Sequence, residues 1–555
     1  MTQSGANRIL VCALAVLLFS AVSAWGLLGS SKHISLLLAV EYLLLLPAAL
    51  YGLRAGSPAV ASGLPDIPRV LPIAAFLAAA LALSWLSNQG LLIPDESAYQ
   101  FQARTFALGE FAAPAPPGAP ARVEGTPLPL YFEHHIFHQG RWFTKYPPGW
   151  PMLLALPLRL GIGWIVNPLL GLAVLLITAA IARRVFDNST AACAVVLAVL
   201  SPFFLANCIG RMSHPACAAM LAGACLFCFA GLRSRRLAHF AGMMALILAA
   251  VQVRPFTAAV VGGVLGLSAL WYLRQERLFA GVLLLGAFFG ALSVGSMLAY
   301  NKLYTGNYRL SPYTLFNQNP LTRSGNVADI DLQPSHMIDQ FFHQTRWALQ
   351  DTVYYTFAFI FLMAGYSVWR EKKNPREVRI LAALFPALVV AHVVQPALNS
   401  EFIGERYYFE AYFAVAILAA RGLSLLVGEW RISRQTLAVV LGLFAAFEGG
   451  QMALAAPIFL EKTGPYRQVR EAAEQLSGKR YAVFLQTMEP QIVAKHFNLN
   501  RPDWQQRDLF YLVDPGPFGR AEWACRVGRP DWVVIGYDPA NQRATRQFGR
   551  AAMCP

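Results

Sequence analysis

Apolar residues in this chain come in long unbroken blocks, without the three-to-four or alternating spacing of elements that face water on one side. A bilayer core asks for about 20 apolar residues per helix. Blocks of that kind fall near residues 9–30, 34–53, 70–88, 162–181, 189–207, 215–232, 238–252, 256–273, 278–299, 351–369, 379–396, 407–427 and 436–456. They predict an all-α polytopic membrane protein with about thirteen transmembrane helices. The apolar run 151–160 is short and broken by proline, and reads as an interfacial segment or a helix start.

Three polar stretches interrupt the blocks: 89–150, 300–350 and the tail 457–555. The tail holds short β-type runs at Tyr481–Leu485, Leu509–Val513 and Trp532–Gly536, between polar and helical segments. That pattern predicts a small α/β domain. The expected organisation is thus a membrane-embedded domain over 1–456, with loops 89–150 and 300–350, followed by a C-terminal domain over 457–555.

Charge gives the orientation. Lys and Arg gather in alternate loops, among them Arg183 and Arg184, Arg233, Arg235 and Arg236, and Arg370, Lys372 and Lys373. By the positive-inside bias these loops are cytoplasmic. The N-terminus then lies inside, and all three polar stretches lie outside. A net charge of +15 in a soluble protein would suggest nucleic acid. Here 56% of residues are hydrophobic, 14% are charged and the mean hydropathy is +0.45, so the charge is assigned to topology and anionic lipid head groups, with no nucleic-acid partner. Of eight cysteines, six lie in or beside apolar blocks. Cys525 and Cys554 lie in the tail and can pair if it faces an oxidising compartment.

Candidate chemistry concentrates in the first loop. Pro94-Asp95-Glu96-Ser97-Ala98-Tyr99 directly follows an apolar block. Acids at a membrane face are costly unless solvated, paired or functional. A carboxylate there can take a proton from an attacking hydroxyl. The same residues also suit a helix start, with Asp95 as cap and Glu96 as a first-turn acid. In Lys145-Tyr146-Pro147-Pro148-Gly149 the prolines hold Lys145 on a stiff backbone, where an ammonium suits a phosphate or serves as an interfacial anchor. Arg406 suits either a phosphate or an ion pair with Glu401, Glu405 or Glu410. Glu133, His134, His135 and His138 form a cluster whose spacing fits no standard metal site. Asp329-Ile330-Asp331 lacks the parallel-sheet context of a nucleotide-sugar cation motif. The chain has no G-x-x-x-x-G-K-[ST], H-E-x-x-H or G-x-S-x-G.

Several motifs recur together in order: the acidic pair, Lys-Tyr-Pro-Pro-Gly, Arg211-Met212-Ser213-His214-Pro215, Arg254-Pro255, and Tyr304-Thr305-Gly306-Asn307 with Pro312-Tyr313. The set resembles bacterial glycosyltransferases of the GT-C fold, in the family-39-like group related to protein O-mannosyltransferases and the lipid A aminoarabinose transferase. The resemblance implies a polyprenyl-phosphate sugar donor, a hydroxyl acceptor on a glycan, glycolipid or lipid A-type molecule, and inversion at the anomeric carbon. It implies Asp95 as general base with Glu96 as its partner, and Lys145 as a donor-phosphate ligand. Arg406 and Tyr407 would lie near the same phosphate. Arg211, His214, Arg254 and Tyr146 would line the cavity. No cofactor is implied, and a divalent metal stays open. The expected location is the bacterial cytoplasmic membrane. Two other readings stand beside it: a transporter or flippase of lipid-linked sugars, and a glycan polymerase or ligase. A transporter needs ionisable residues within its spans, and Glu41 is the main one found.

Overall fold

The computed structural model describes residues 69–88, 90, 92–119, 128–318, 358–394 and 406–430, and nearly all of 460–554, with a few single positions between. The expected spans 9–30 and 34–53 and nearly all of 436–456, with Glu41 and the Asp329–Asp331 motif, lie outside the described residues. The chain divides into two compact units. One comprises Ala75–Val174, Asn207–Ile330 and Leu454–Pro555; the other comprises Met1–Ala74, Leu175–Ala206 and Asp331–Ala453.

Helices dominate. In chain order they begin with α1 (Val70–Ser87), α2 (Asp95–Ala107), α3 (Gly149–Arg159) and α4 (Val166–Val185). Next come α5 (Asn188–Val199), α6 (Pro202–Asn207), α7 (His214–Ser234), α8 (Leu237–Val253), α9 (Pro255–Leu273), α10 (Leu278–Thr305) and α11 (Pro312–Asn317). Then follow α12 (Ala358–Arg370), α13 (Pro375–Val394) and α14 (Tyr412–Trp430). Among the described residues six helices are long and apolar enough to cross a membrane: Val70–Ser87, Gly163–Val185, His214–Ser234, Pro255–Leu273, Leu278–Thr305 and Arg406–Glu429. α5 and α8 are apolar but shorter.

Local differences from the expected blocks have local causes. The block 189–207 is two helices, because the proline at 202 has no amide to extend α5 and opens α6 instead. Ser201 Oγ accepts from Phe204 N at 3.3 Å and caps the new start. The run 151–160 is helical as far as Arg159, within α3, with Leu160 as its C-cap; Pro151 falls in the first turn, where an amide has no helical partner to lose. Asp95 is not a cap: Pro94 holds that position, and both acids are inside the first turn of α2.

In the first unit the loop after α2 forms a three-stranded antiparallel sheet in the order β1 (Ala113–Pro114), β3 (Arg141–Thr144), β2 (His135–His138). The tail opens with a helix, α15, over 463–474. It then builds a four-stranded sheet in the order β5 (Leu509–Val513), β4 (Tyr481–Leu485), β6 (Asp531–Asp538), β7 (Arg543–Arg550). The three apolar runs expected as strands are β4, β5 and β6, and they pair in parallel. β7 pairs antiparallel and sits at the edge; it is mostly exposed, and its arginine-rich sequence gave no strand signal. Cys525, in helix α16 (Arg520–Arg526), forms a disulfide with Cys554.

Loop and tail share one hydrophobic core. Phe101, Leu130, Phe132 and Trp142 from the loop pack in the same cluster as Tyr466, Phe484, Leu512 and Val534 from the tail. Each large side chain buried this way contributes about 1.5–3 kcal/mol. Polar contacts fix the register: Ser97 Oγ accepts from Asn498 N at 2.9 Å, and Glu133 N donates to Lys495 O at 2.8 Å.

In the second unit α12 packs against α14. A Cβ on Gly422 would overlap the carbonyl oxygen of Met363, so the two backbones touch where only glycine fits. Arg421 Nε meets Glu371 Oε2 at 2.5 Å, and Arg370 meets Glu429 at 2.7 Å.

Candidate active site

α2 is the organising element of the first unit, with an unbroken buried run from Glu96 to Ala103. At 3.6 residues per turn, Asp95, Tyr99 and Gln102 share one face. Ser97, Phe101 and Arg104 share another, which meets the tail. Glu96 lies between the two.

Asp95 sits at the N-terminus of α2, where the helix dipole favours a carboxylate. Tyr146 OH donates to Asp95 Oδ1 at 2.6 Å. Burial, with Asp95 and Tyr99 beside it, pushes the Tyr146 hydroxyl well above its usual value, so it remains a donor. The Tyr99 ring stacks on the Tyr146 ring at 4.3 Å, and Tyr300 OH donates to the Tyr146 carbonyl at 2.7 Å. The opposite oxygen, Asp95 Oδ2, lies 3.8 Å from His134 Nε2.

Lys145 is buried with its Nζ against three rings, 5.3 Å from Tyr146, 4.9 Å from Tyr313 and 4.7 Å from Phe316. Such contacts hold an ammonium in place without neutralising it. Its backbone amide donates to His134 O at 3.1 Å. His134 carries a left-handed backbone, φ 70°, uncommon for a residue with a Cβ. Tyr146 therefore touches both the carboxylate of Asp95 and the ammonium of Lys145.

Glu96 has a different task. Its Oε1 accepts from Arg211 N at 2.6 Å, and its Oε2 accepts from Leu92 N at 3.2 Å. Burial raises its carboxyl, against the opposing pull of Arg211. Gly210 has φ 72°, and a Cβ there would overlap Glu96 Oε1, so the acid and the loop are fitted to each other. Arg211 Nη2 donates to the carbonyl of Asn88 at 2.7 Å and also to its side-chain oxygen. Arg254 Nη1 donates to Ser213 Oγ and to His214 Nε2, each at 3.3 Å. Ser213 in turn hydrogen-bonds Tyr99 OH at 3.2 Å, joining this pair to the α2 face that carries Asp95. Arg406 and Tyr407 belong to the other unit, in a 3-10 turn before α14, with the Arg406 guanidinium 5.5 Å from the Tyr407 ring.

The histidines have separate partners. Trp142 Nε1 donates to His135 Nδ1 at 3.1 Å, His138 Nε2 lies 3.2 Å from Thr305 O, and His496 pairs with Glu133 at 2.6 Å. Among the described residues no three His, Cys, Asp or Glu are grouped to hold a metal. Burial lowers His134 and His135 to about 3, with Lys145 adding to the shift at His134. Both are neutral at neutral pH, so His134 and Asp95 are not an ion pair. A depressed histidine stabilises the fold fully above its unfolded value of 6.5, and that stability is lost as pH falls toward 3. Melting in detergent is expected to weaken below pH 6.5 by roughly 1 kcal/mol per pH unit per histidine. His135→Gln should flatten the slope; an unchanged slope would mean that His135 is not buried neutral.

Solved structures place the architecture. ArnT from Cupriavidus metallidurans bound to undecaprenyl phosphate superposes with a TM-score of 0.52 at 14% identity, covering 87% of this chain and 99% of its own. Its apo state gives 0.51 at 14% identity over 87% and 98%. The chain has the GT-C fold. No family model matches it, and no curated protein matches by sequence. At this identity the GT-C likeness is one of backbone path. It agrees with the architecture that the motif order implied.

Several neighbours of Asp95 and Lys145 were not singled out in the sequence. Tyr99 had a usable signal, standing one helical turn after Asp95. Phe316 had none, and His134 stood out only as part of a histidine cluster without metal-site spacing, although it is buried beside Asp95.

Proposed function

We propose that this chain is an inverting glycosyltransferase that moves a sugar from a polyprenyl-phosphate donor to a hydroxyl acceptor at the outer face of the cytoplasmic membrane. The observation that carries the reading is Tyr146, hydrogen-bonded to Asp95 at 2.6 Å while its ring lies 5.3 Å from Lys145 Nζ. A proton acceptor and a phosphate-binding cation thereby flank one side chain, in a fold shared with a protein solved with undecaprenyl phosphate. The Cys525–Cys554 disulfide supports an oxidising location for the tail.

In the proposed reaction the acceptor hydroxyl gives its proton to Asp95 as its oxygen attacks C1 of the sugar. The bond from C1 to the phosphate oxygen breaks, and its electron pair leaves with the lipid phosphate. Lys145 offsets that charge. Attack opposite the leaving group inverts the anomeric centre. Tyr146 orients the Asp95 carboxylate through Oδ1. Glu96 holds the 210–211 segment, and with it Arg211 and Ser213, against α2.

The test is sugar transfer by the purified protein in detergent, where transport across a membrane has no meaning. Synthetic polyprenyl-phosphate monosaccharides are supplied with envelope glycolipids from a deletion strain, and products are read by mass spectrometry. A new glycosylated product is expected. No product from any donor, together with unchanged envelope glycans in the deletion strain, would reject the reading.

A further inference from the structure

The hairpin of β2 and β3 delivers two side chains to Asp95, and the proposed reaction employs one of them. His135 lies opposite Thr144 in the ladder, so the adjacent pair is His134 and Lys145, joined by the bond from Lys145 N to His134 O. Lys145 meets the donor phosphate; the His134 side chain has no task. Its imidazole is buried between the rings of Tyr146 and Phe316, at 5.5 and 5.8 Å, and its Nε2 faces Asp95 Oδ2. The residues on either side are anchored. Glu133 is tied to the tail twice, by its amide to Lys495 O and by its carboxylate to His496, and His135 N donates to Phe132 O at 3.2 Å. A left-handed φ of 70° at a residue with a Cβ persists only where the surroundings impose it, and such positions gather at working sites.

The separation of 3.8 Å between Nε2 and Oδ2 is too long for a direct hydrogen bond, which needs about 2.7–3.2 Å. It suits two hydrogen bonds that meet on one shared oxygen, about 2.8 Å from each atom. Charge narrows the role further. Burial and the ammonium of Lys145 hold the imidazole down at about 3, so it is neutral and does not compete with Asp95 for a proton. A neutral imidazole has one N–H. With that proton on Nε2, a donor faces the carboxylate, and Nδ1, buried without a hydrogen bond among the described residues, is a bare acceptor. The other tautomer would bury an orphaned N–H, the rarer case, and would turn lone pairs toward each other across the gap.

We propose that His134 is a catalytic residue that binds the attacking hydroxyl: its Nε2–H donates to the acceptor oxygen while the hydroxyl's own proton points to Asp95 Oδ2. This rests on the glycosyl-transfer reading and deepens it, by placing the acceptor oxygen between two named atoms. A hydroxyl oxygen has two lone pairs. One accepts from His134, and the other is left to attack C1 of the sugar. As the new bond to C1 forms, the hydroxyl proton passes to Asp95, the bond from C1 to the phosphate oxygen breaks, and its electron pair leaves with the lipid phosphate. His134 keeps its proton throughout. Its contribution is orientation of the nucleophile.

The experiment measures initial transfer rates of the full chain in detergent, with acceptor titrated at saturating donor and donor titrated at saturating acceptor. Asparagine tolerates a left-handed backbone, but its amide stops short of the Nε2 position. Glutamine reaches that position and carries an N–H to it. His134→Asn is expected to lower kcat/KM for the acceptor roughly 10–100-fold. The half-saturating donor concentration and the melting midpoint should stay near native, and His134→Gln should recover most of the loss. A merely structural role would move the melting midpoint, or the donor dependence through the backbone bond to Lys145, and glutamine would not rescue it. If His134→Asn fails to fold, His134→Met takes its place, with the length of glutamine and no N–H. Native acceptor dependence in the variant without a donor, or equal losses in that variant and His134→Gln, overturns the role of His134 while wild-type transfer upholds the glycosyl-transfer reading. Absence of transfer by the wild type rejects both.

Discussion

Asp95→Asn is expected to lower sugar transfer by about 10²–10⁴-fold, the range for loss of a general base. The substitution keeps the side-chain shape and leaves an oxygen for Tyr146 OH, which donates to Oδ1 at 2.6 Å in the native site. It removes only the charge and the capacity to take a proton. Expression, the melting midpoint and binding of the polyprenyl-phosphate donor should therefore persist. The measurement is single-turnover transfer at saturating donor, beside donor binding on the same preparation. Near-native turnover in Asp95→Asn would remove the base from this position.

The second large effect is expected at Lys145. Lys145→Ala should raise the donor concentration needed for half-maximal rate by roughly 10–100-fold, the worth of a charge-assisted contact. The rate at saturation should fall less, unless the ammonium acts mainly on charge that develops as the phosphate leaves. Lys145→Arg is not a conservative control, because Tyr146, Tyr313 and Phe316 enclose the ammonium at 4.7–5.3 Å and a planar guanidinium has another shape. Donor titrations of transfer rate read both quantities. An unchanged dependence on donor would take Lys145 out of the phosphate site.

What was legible in the sequence follows from how local each signal is. Asp95 stood out because two acids directly follow an apolar block, and Lys145 because two prolines fix the chain after it. β4, β5 and β6 were legible as apolar β-type runs; β7 was not, because an exposed edge strand needs no apolar face. The partners of these residues were mostly out of reach. His134 is buried against Tyr146 and Phe316, and His135 against Phe101, Phe132 and Trp142, while Asn498 meets His135 across 363 residues of sequence. No window of local pattern carries that information. Glu96 was legible as an acid beside Asp95, yet its partners at Arg211 and Leu92 depend on how the 210–211 segment folds back. Arg406 and Tyr407 fall in a different compact unit from Asp95, a division that residue spacing does not reveal.

The core common to loop and tail also has a timetable. Ser97 waits for Asn498, which lies 401 residues further along. At about 5–20 residues per second that interval is roughly 20–80 s on the ribosome. During it Phe101 and Trp142 have no tail residues to cover them, and sticky aromatic surface is open to wrong associations. A nascent chain of this protein is thus exposed to misassembly until the segment around Asn498 has emerged and covered that surface.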